Sequence, residues 1–228
     1  TVIAAKTPGS YANGIRVSII DGKADQILTV SGISTVGMGV TQSVSDRVVA
    51  GAAGTSLLDG YLKGIVTGIP ESGKAEVKVL SHVSAAGTVT QVDYQANGNY
   101  CFKASEIITP IAAGANVGTG STQVVSSQVD WFEQQEIVLT TKDGNGNPIK
   151  LEWDSLADAP GTSTYAQARG GRHDELHVVV IDDKGTITGN AGTILEKHLN
   201  LSKATDAEYS VGSTAYWRKY LANVSQYI

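Results

Sequence analysis

The sequence holds a single cysteine, Cys101. No disulfide can form within it, which sets aside the disulfide-stapled class and fits folding in a reducing compartment. Cys101 reads as a small hydrophobe. No apolar run reaches 18 residues, and the first residues carry neither a basic nor a long apolar stretch, so the chain is expected neither to insert in a membrane nor to be secreted. Positive charge is also short: 17 Lys and Arg against 22 Asp and Glu leave a net charge of -5. A general nucleic-acid surface needs the opposite excess. The tight basic pairs Arg169/Arg172 and Arg218/Lys219 read as solvated faces. Aromatic residues make up 6% of the chain, whereas glycine occurs 26 times. That balance favours short strands and turns over long helices.

What is present begins with TVIAA, which has strand character. A start at Thr1 rather than Met suggests a piece of something longer. Two phrases are then written alike. Ile15, Val17 and Ile19 alternate after Asn13-Gly14, and Leu176, Val178 and Val180 alternate after Asp174-Glu175; each run ends in Asp with a Gly close by. Matching apolar strands this far apart predict one sheet split by an insertion. Between them, AEVKVL, TVTQVDY, TQVVSSQV and QEIVLTT are β-prone runs. NGN at 97–99, PIAAGANVGTG at 110–120 and DGNGNP at 143–148 punctuate them. SLLDGYLKGI reads as a short helix interrupted by Gly60 and Gly64.

Beyond Ala159-Pro160-Gly161 the texture changes. STYAQAR predicts a short helix, and Leu176–Asp182 a strand buried on both faces. ILEKHLNLS fits either a strand face or a helix face, and the strand is preferred. Trp217, Tyr220, Leu221, Val224 and Ile228 fall on one helical face, with Ser213 or Thr214 as the cap. The fold class expected is α+β. An α/β base is built from residues 1–31 and 161–228, with a β-rich, sandwich- or barrel-like inserted domain at 32–160.

Three stretches imitate functional motifs. GIPESGKA at 68–75 approaches a phosphate loop, but Ala75 stands where a magnesium-binding hydroxyl is needed and a strand pattern follows instead of a helix. DGNGNPIKLEWD places Asp143, Asn145, Asn147 and Asp154 at calcium-loop spacing; Pro148 sits where the sharp turn needs Gly, so a hairpin is expected. GRHDELH gathers His173, Asp174, Glu175 and His177, yet it runs into a strand on which 173, 175 and 177 share a side, unlike a helical zinc motif. The sequons at Asn200 and Asn223 carry little without a secretory route. With no nucleophile elbow and no Cys/His constellation, no catalytic, cofactor-binding or metal residue is assigned, and no enzyme activity is expected.

The two ends of the chain resemble the tail sheath proteins of contractile bacteriophages. The phrases are an apolar strand ending in Val180-Ile181-Asp182, the Gly192–Glu196 stretch, the Ser-x-Ala-x-Asp-Ala pattern within Leu201–Ala207, Gly212–Trp217 and the closing Tyr227-Ile228. AAKTPGSYANGIRV at the start resembles that family's entry to its shared region. Trp217 replaces the second of two tyrosines, and residues 32–160 match no part of the pattern. The resemblance is to a middle fragment, with further chain expected on both sides. It implies a structural subunit without active-site chemistry, made in the host cytoplasm and resident in the virion. Its partners would be other sheath subunits in stacked rings, tied through segments outside residues 1–228, and the tail tube protein; residues 1–228 alone would be monomeric. A β-rich adhesin or carbohydrate-binding module is the alternative.

Overall fold

The computed structural model describes residues 3–51, 54–112, 115 and 117–228. The protein is mostly β. In chain order the first strands are β1 (Ile15–Asp21), β2 (Gln26–Thr29), β3 (Gly39–Ser43), β4 (Val48–Gly51), β5 (Gly54–Leu57) and β6 (Tyr61–Gly68). Then come β7 (Lys74–Val83), β8 (Val89–Gln91), β9 (Ile107–Pro110), β10 (Gln123–Val124), β11 (Ser127–Asp130) and β12 (Glu136–Lys142). The last are β13 (Pro148–Glu152), β14 (Glu175–Asp182), β15 (Thr193–Ser202), β16 (Glu208–Ser210) and β17 (Ser213–Thr214), with helices α1 (Thr164–Gln167) and α2 (Trp217–Val224). Thr1 and Val2 of the opening TVIAA, and positions 113, 114 and 116 of the 110–120 stretch, lie outside the described residues. Ile3–Ala5 join no strand.

Two compact units divide the chain: Lys23–Gln134, and Thr1–Gly22 together with Gln135–Ile228. These limits differ from the 31/32 and 160/161 boundaries expected from composition. β2 pairs with β7 and β11, and so belongs with Lys23–Gln134. The β12–β13 hairpin belongs with the ends, through Thr140, whose N–H and hydroxyl donate to the Asp183 carboxylate.

In the unit made from the ends, a three-stranded antiparallel sheet has the order β1-β14-β15. The two matching phrases are direct neighbours, from Ile15 opposite Asp182 to Asp21 opposite Leu176. β14 is central and buried on both faces, as its unbroken apolar run requires. Leu176, Val178 and Val180 on one face form a core with Leu201, Leu221 and Ile228, closed by Trp217 and Tyr220 of α2. Burying a side chain such as Leu201 is worth about 1.5–3 kcal/mol. ILEKHLNLS is strand, within β15. The α/β base expected from the two ends of the chain is not what this unit is: among the described residues its α-helices are two, of four and eight residues, and its named strand pairs are antiparallel, without the parallel pairs that crossover helices would connect.

α2 differs in both limits from its apolar periodicity. Ser213 and Thr214 form β17, and Tyr216 is the N-cap without a side-chain bond. At the other end Ser225 is extended; its Oγ accepts from the N–H groups of Tyr227 and Ile228, which ends the helix before Ile228.

The unit Lys23–Gln134 is a curled antiparallel sheet with the order β10-β9-β3-β6-β7-β2-β11, with β8 added on β7. Its two outermost strands are consecutive in sequence, separated by Val125 and Ser126 alone. Val125 N donates to Glu106 O beside β9, and Ser126 N to Thr29 O of β2, so one bent segment joins both edges of the sheet. Val125 turns into a core that includes Leu28, Val40, Leu62, Val77, Ile108 and Phe102. SLLDGYLKGI is strand and turn, not helix. Leu62, Gly64 and Val66 alternate inward, and Gly64 faces the Phe102 ring so closely that a Cβ there would lie 2.8 Å from it.

Candidate functional site

The polar side chains of greatest interest lie in the unit made from the chain ends, where the first and last stretches of the sequence converge. Asp174 is 8% exposed. Its Oδ1 accepts from Ser163 N at 2.8 Å; its Oδ2 accepts from the hydroxyls of Ser163, at 2.7 Å, and Ser202. Ser163 in turn caps α1 by accepting from Ala166 N, and Ser202 accepts from Ala204 N. Burial alone would raise the Asp174 pKa; the bonds from Ser202 and Ser163 outweigh it and hold it below the usual carboxylate value. This carboxylate is an anchor, with both of its oxygens accepting hydrogen bonds.

Its neighbours in GRHDELH are separated from it. His173 has a φ of 55° and precedes the strand, so the shared side expected for 173, 175 and 177 holds only from Glu175 on. Glu175 Oε2 accepts from Gly161 N and Asn200 Nδ2. His177 is 1% exposed; its Nδ1 accepts from Asn200 N, so the ring carries its proton on Nε2, which donates to Asp158 O at 2.8 Å. Among the described residues no three His, Cys, Asp or Glu side chains are grouped to hold a metal ion.

Three more carboxylates organise this unit, and the motif search missed them. Asp182 closes the loop after β14 by accepting from the N–H groups of Thr186, Ile187 and Thr188 and from the Thr188 hydroxyl, at 2.7–2.9 Å. Burial pushes its pKa up, but the bonds from Thr188 and Ile187 prevail and lower it. Asp183 binds Thr140 and faces Arg16 Nε at 3.6 Å. Glu196 holds the last residues, accepting from Ser225 Oγ, Gln226 N and His198 Nε2. The signal available in sequence was an Asp directly after a buried strand, followed by a Thr-rich turn.

The other quoted phrases also do structural work. Leu201 and Ala207 are buried, Asp206 accepts from the Tyr165 hydroxyl, and Ala215 N donates to Ala207 O. Tyr227 O accepts from Lys6 N, which brings the two ends of the sequence together. Thr205–Glu208, Gly212–Thr214 and α2 border a cleft of 410 Å³.

The remaining imitations take ordinary forms. In GIPESGKA, Gly73 turns with a φ of 79° and Lys74 opens β7 with its ammonium on Glu71 at 2.6 Å. DGNGNP is the β12–β13 turn, in which Asp143 Oδ1 accepts from the N–H groups of Asn145 and Asn147. Arg169 lies 3.6 Å over the Tyr165 ring, and Arg218 5.1 Å from the Trp217 ring. No family model matches the chain, and neither does any curated protein or any solved structure.

Proposed function

We propose that this chain is part of a subunit of a contractile bacteriophage tail sheath, a structural protein that packs around the tail tube and rearranges to drive it through the host envelope. One observation carries the reading. The phrases that resemble the sheath family come from the two ends of the chain and fold into one unit, where they contribute residues to β1, β14, β15 and β17, the Asp182 and Glu196 carboxylates and the start of the final helix. Neighbouring subunits and the tail tube protein are the partners, and the virion is the location. Assemblies of this kind need heterologous contacts that do not close on themselves and two packings of similar free energy. Electron microscopy of the full-length gene product tests the reading: tubes or stacked rings are expected, and dispersed particles under every assembly condition would remove it.

A second reading, a β-rich adhesin or carbohydrate-binding module, is favoured by a polar cleft of 240 Å³ in the Lys23–Gln134 unit. Asn97, Gln128, Glu133 and Gln134 line it beside Tyr94. Planar polar groups next to an aromatic ring suit sugar hydroxyls and C–H faces. A glycan array decides it, with saturable binding expected under this reading alone.

A further inference from the structure

Residues 99–104 belong to no strand, yet side chains bond much of their backbone. The carbonyls of Asn99 and Cys101 each accept from Arg47 Nη1 at 2.6 Å. Phe102 gives its N–H to Gln26 Oε1 and takes Gln26 Nε2 on its carbonyl. Lys103 makes the same two bonds with Gln42, and Ala104 N donates to Gln128 Oε1. A glutamine amide offers one face with the donor and acceptor of a peptide group, so Gln26 and Gln42 each replace a rung of a strand ladder. The three glutamines stand on three strands, β2, β3 and β11. What they hold down is Phe102, fully buried against Gly64, and Cys101, 1% exposed.

Such rungs break differently from a ladder. Each one is released by a side-chain rotation, without disturbing the neighbouring strand pairs. The segment is also bracketed by two non-glycine residues in the left-handed region, Asn97 with φ 58° and Ser105 with φ 65°. Few residues sit there at rest, and residues at loop ends absorb the dihedral change when a segment swings.

We propose that residues 98–104 form a strap that opens as one unit about Asn97 and Ser105 while the surrounding sheet stays folded, and that this opening is what admits solvent to the Cys101 thiol.

The test follows alkylation of Cys101 by iodoacetamide in the full protein, located by peptide mass, beside native-state hydrogen exchange of the same peptides. Alkylation without denaturant is expected to outrun global unfolding, with a shallower denaturant dependence. The 98–104 peptide should exchange at the matching rate while β6 and β7 stay protected. Gln42→Met and Gln128→Met, each removing latch bonds, are expected to speed alkylation about tenfold or more with a smaller effect on global stability. If alkylation and strap exchange follow the denaturant slope of global unfolding in the parent protein, the strap is part of the cooperative core and the proposal fails. Failure of either folded variant to speed alkylation equally overturns it.

Discussion

A Cβ on Gly14 would lie 2.3 Å from the Thr186 hydroxyl oxygen, so the turn before β1 and the loop after β14 meet where any larger residue must displace the Thr186 side chain. Gly14 O also accepts from Asp183 N at 2.8 Å, which keeps the backbone from backing away. Gly14→Ala is therefore expected to destabilise the protein by about 1–3 kcal/mol, the usual cost of overpacking. Denaturant titration read by tryptophan fluorescence checks it. Adding Thr186→Ala should restore most of the loss, and a double variant as unstable as the single one would place the strain elsewhere.

Asp174 supplies a pH dependence of determinate sign. Its folded pKa is lowered, so the stabilisation is present above the unfolded value near 3.8 and is lost as pH falls through the folded value. Asp174→Asn removes the charge at every pH. At pH 7 the variant is expected to be less stable by about 2–4 kcal/mol, the scale for disrupting a buried, charge-assisted network. The gap should narrow as pH drops below about 4. A gap that stays constant from pH 7 to pH 2.5 would show that the charge on Asp174 contributes nothing.

Arg47 is 4% exposed and holds four acceptors: the carbonyls of Asn99 and Cys101, Gln42 Oε1 and Glu106 Oε2. Arg47→Met leaves the Cys101 carbonyl and Gln42 Oε1 without this buried donor and is expected to cost about 3–5 kcal/mol. Glu106 is 38% exposed at its side chain, so water screens its share of the pair. Glu106→Gln should cost about 1 kcal/mol or less. Urea unfolding followed at Trp131 measures both. Equal costs would mean that the ion pair, rather than the carbonyl bonds, holds the segment.

Much of the unit made from the ends was legible because its strands carry strong periodic signals. The runs Ile15–Ile19 and Leu176–Asp182 pair as their alternation predicts, and Asp143–Asn147 turns as its Asn-Gly chemistry requires. The boundary at Gln134/Gln135 was hidden because QEIVLTT has the same Val/Thr texture as the strands before it; what assigns it is the bond from Thr140 to Asp183, 43 residues away. The strap at 98–104 leaves no periodic trace, since its partners are glutamine and arginine side chains far off in sequence. The carboxylate anchors were read past for a related reason. Asp182 and Glu196 bind nearby turns and chain ends, not one another, so no motif spacing marks them.

GIPESGKA yields a direct check on nucleotide binding. Lys74 is engaged by Glu71, and Ala75 lies fully buried in β7 opposite Leu28, with no hydroxyl to offer magnesium. Millimolar ATP with magnesium is expected to leave the melting temperature unchanged. A ligand held a hundredfold above its Kd would add about 2.7 kcal/mol, enough for a clear upward shift, and such a shift would show that the protein binds nucleotide after all.

Assembly is where the sheath proposal is most exposed. β1 is an edge strand of its sheet, with β14 as its strand partner among the described residues. Adding a strand from a neighbour to such an edge supplies a row of main-chain hydrogen bonds, and that is how the family's extended segments would tie subunits together. Without such segments only side-to-side contacts between neighbouring subunits remain, and small contacts of that kind give weak or transient association. Residues 1–228 are thus expected to sediment as a monomer even at high concentration, while the full-length chain forms rings or tubes. Analytical ultracentrifugation of both lengths separates the possibilities. Stable polymers of residues 1–228 would move the determinants of assembly onto this part of the chain, and a full-length product that stays monomeric would count against the sheath function itself.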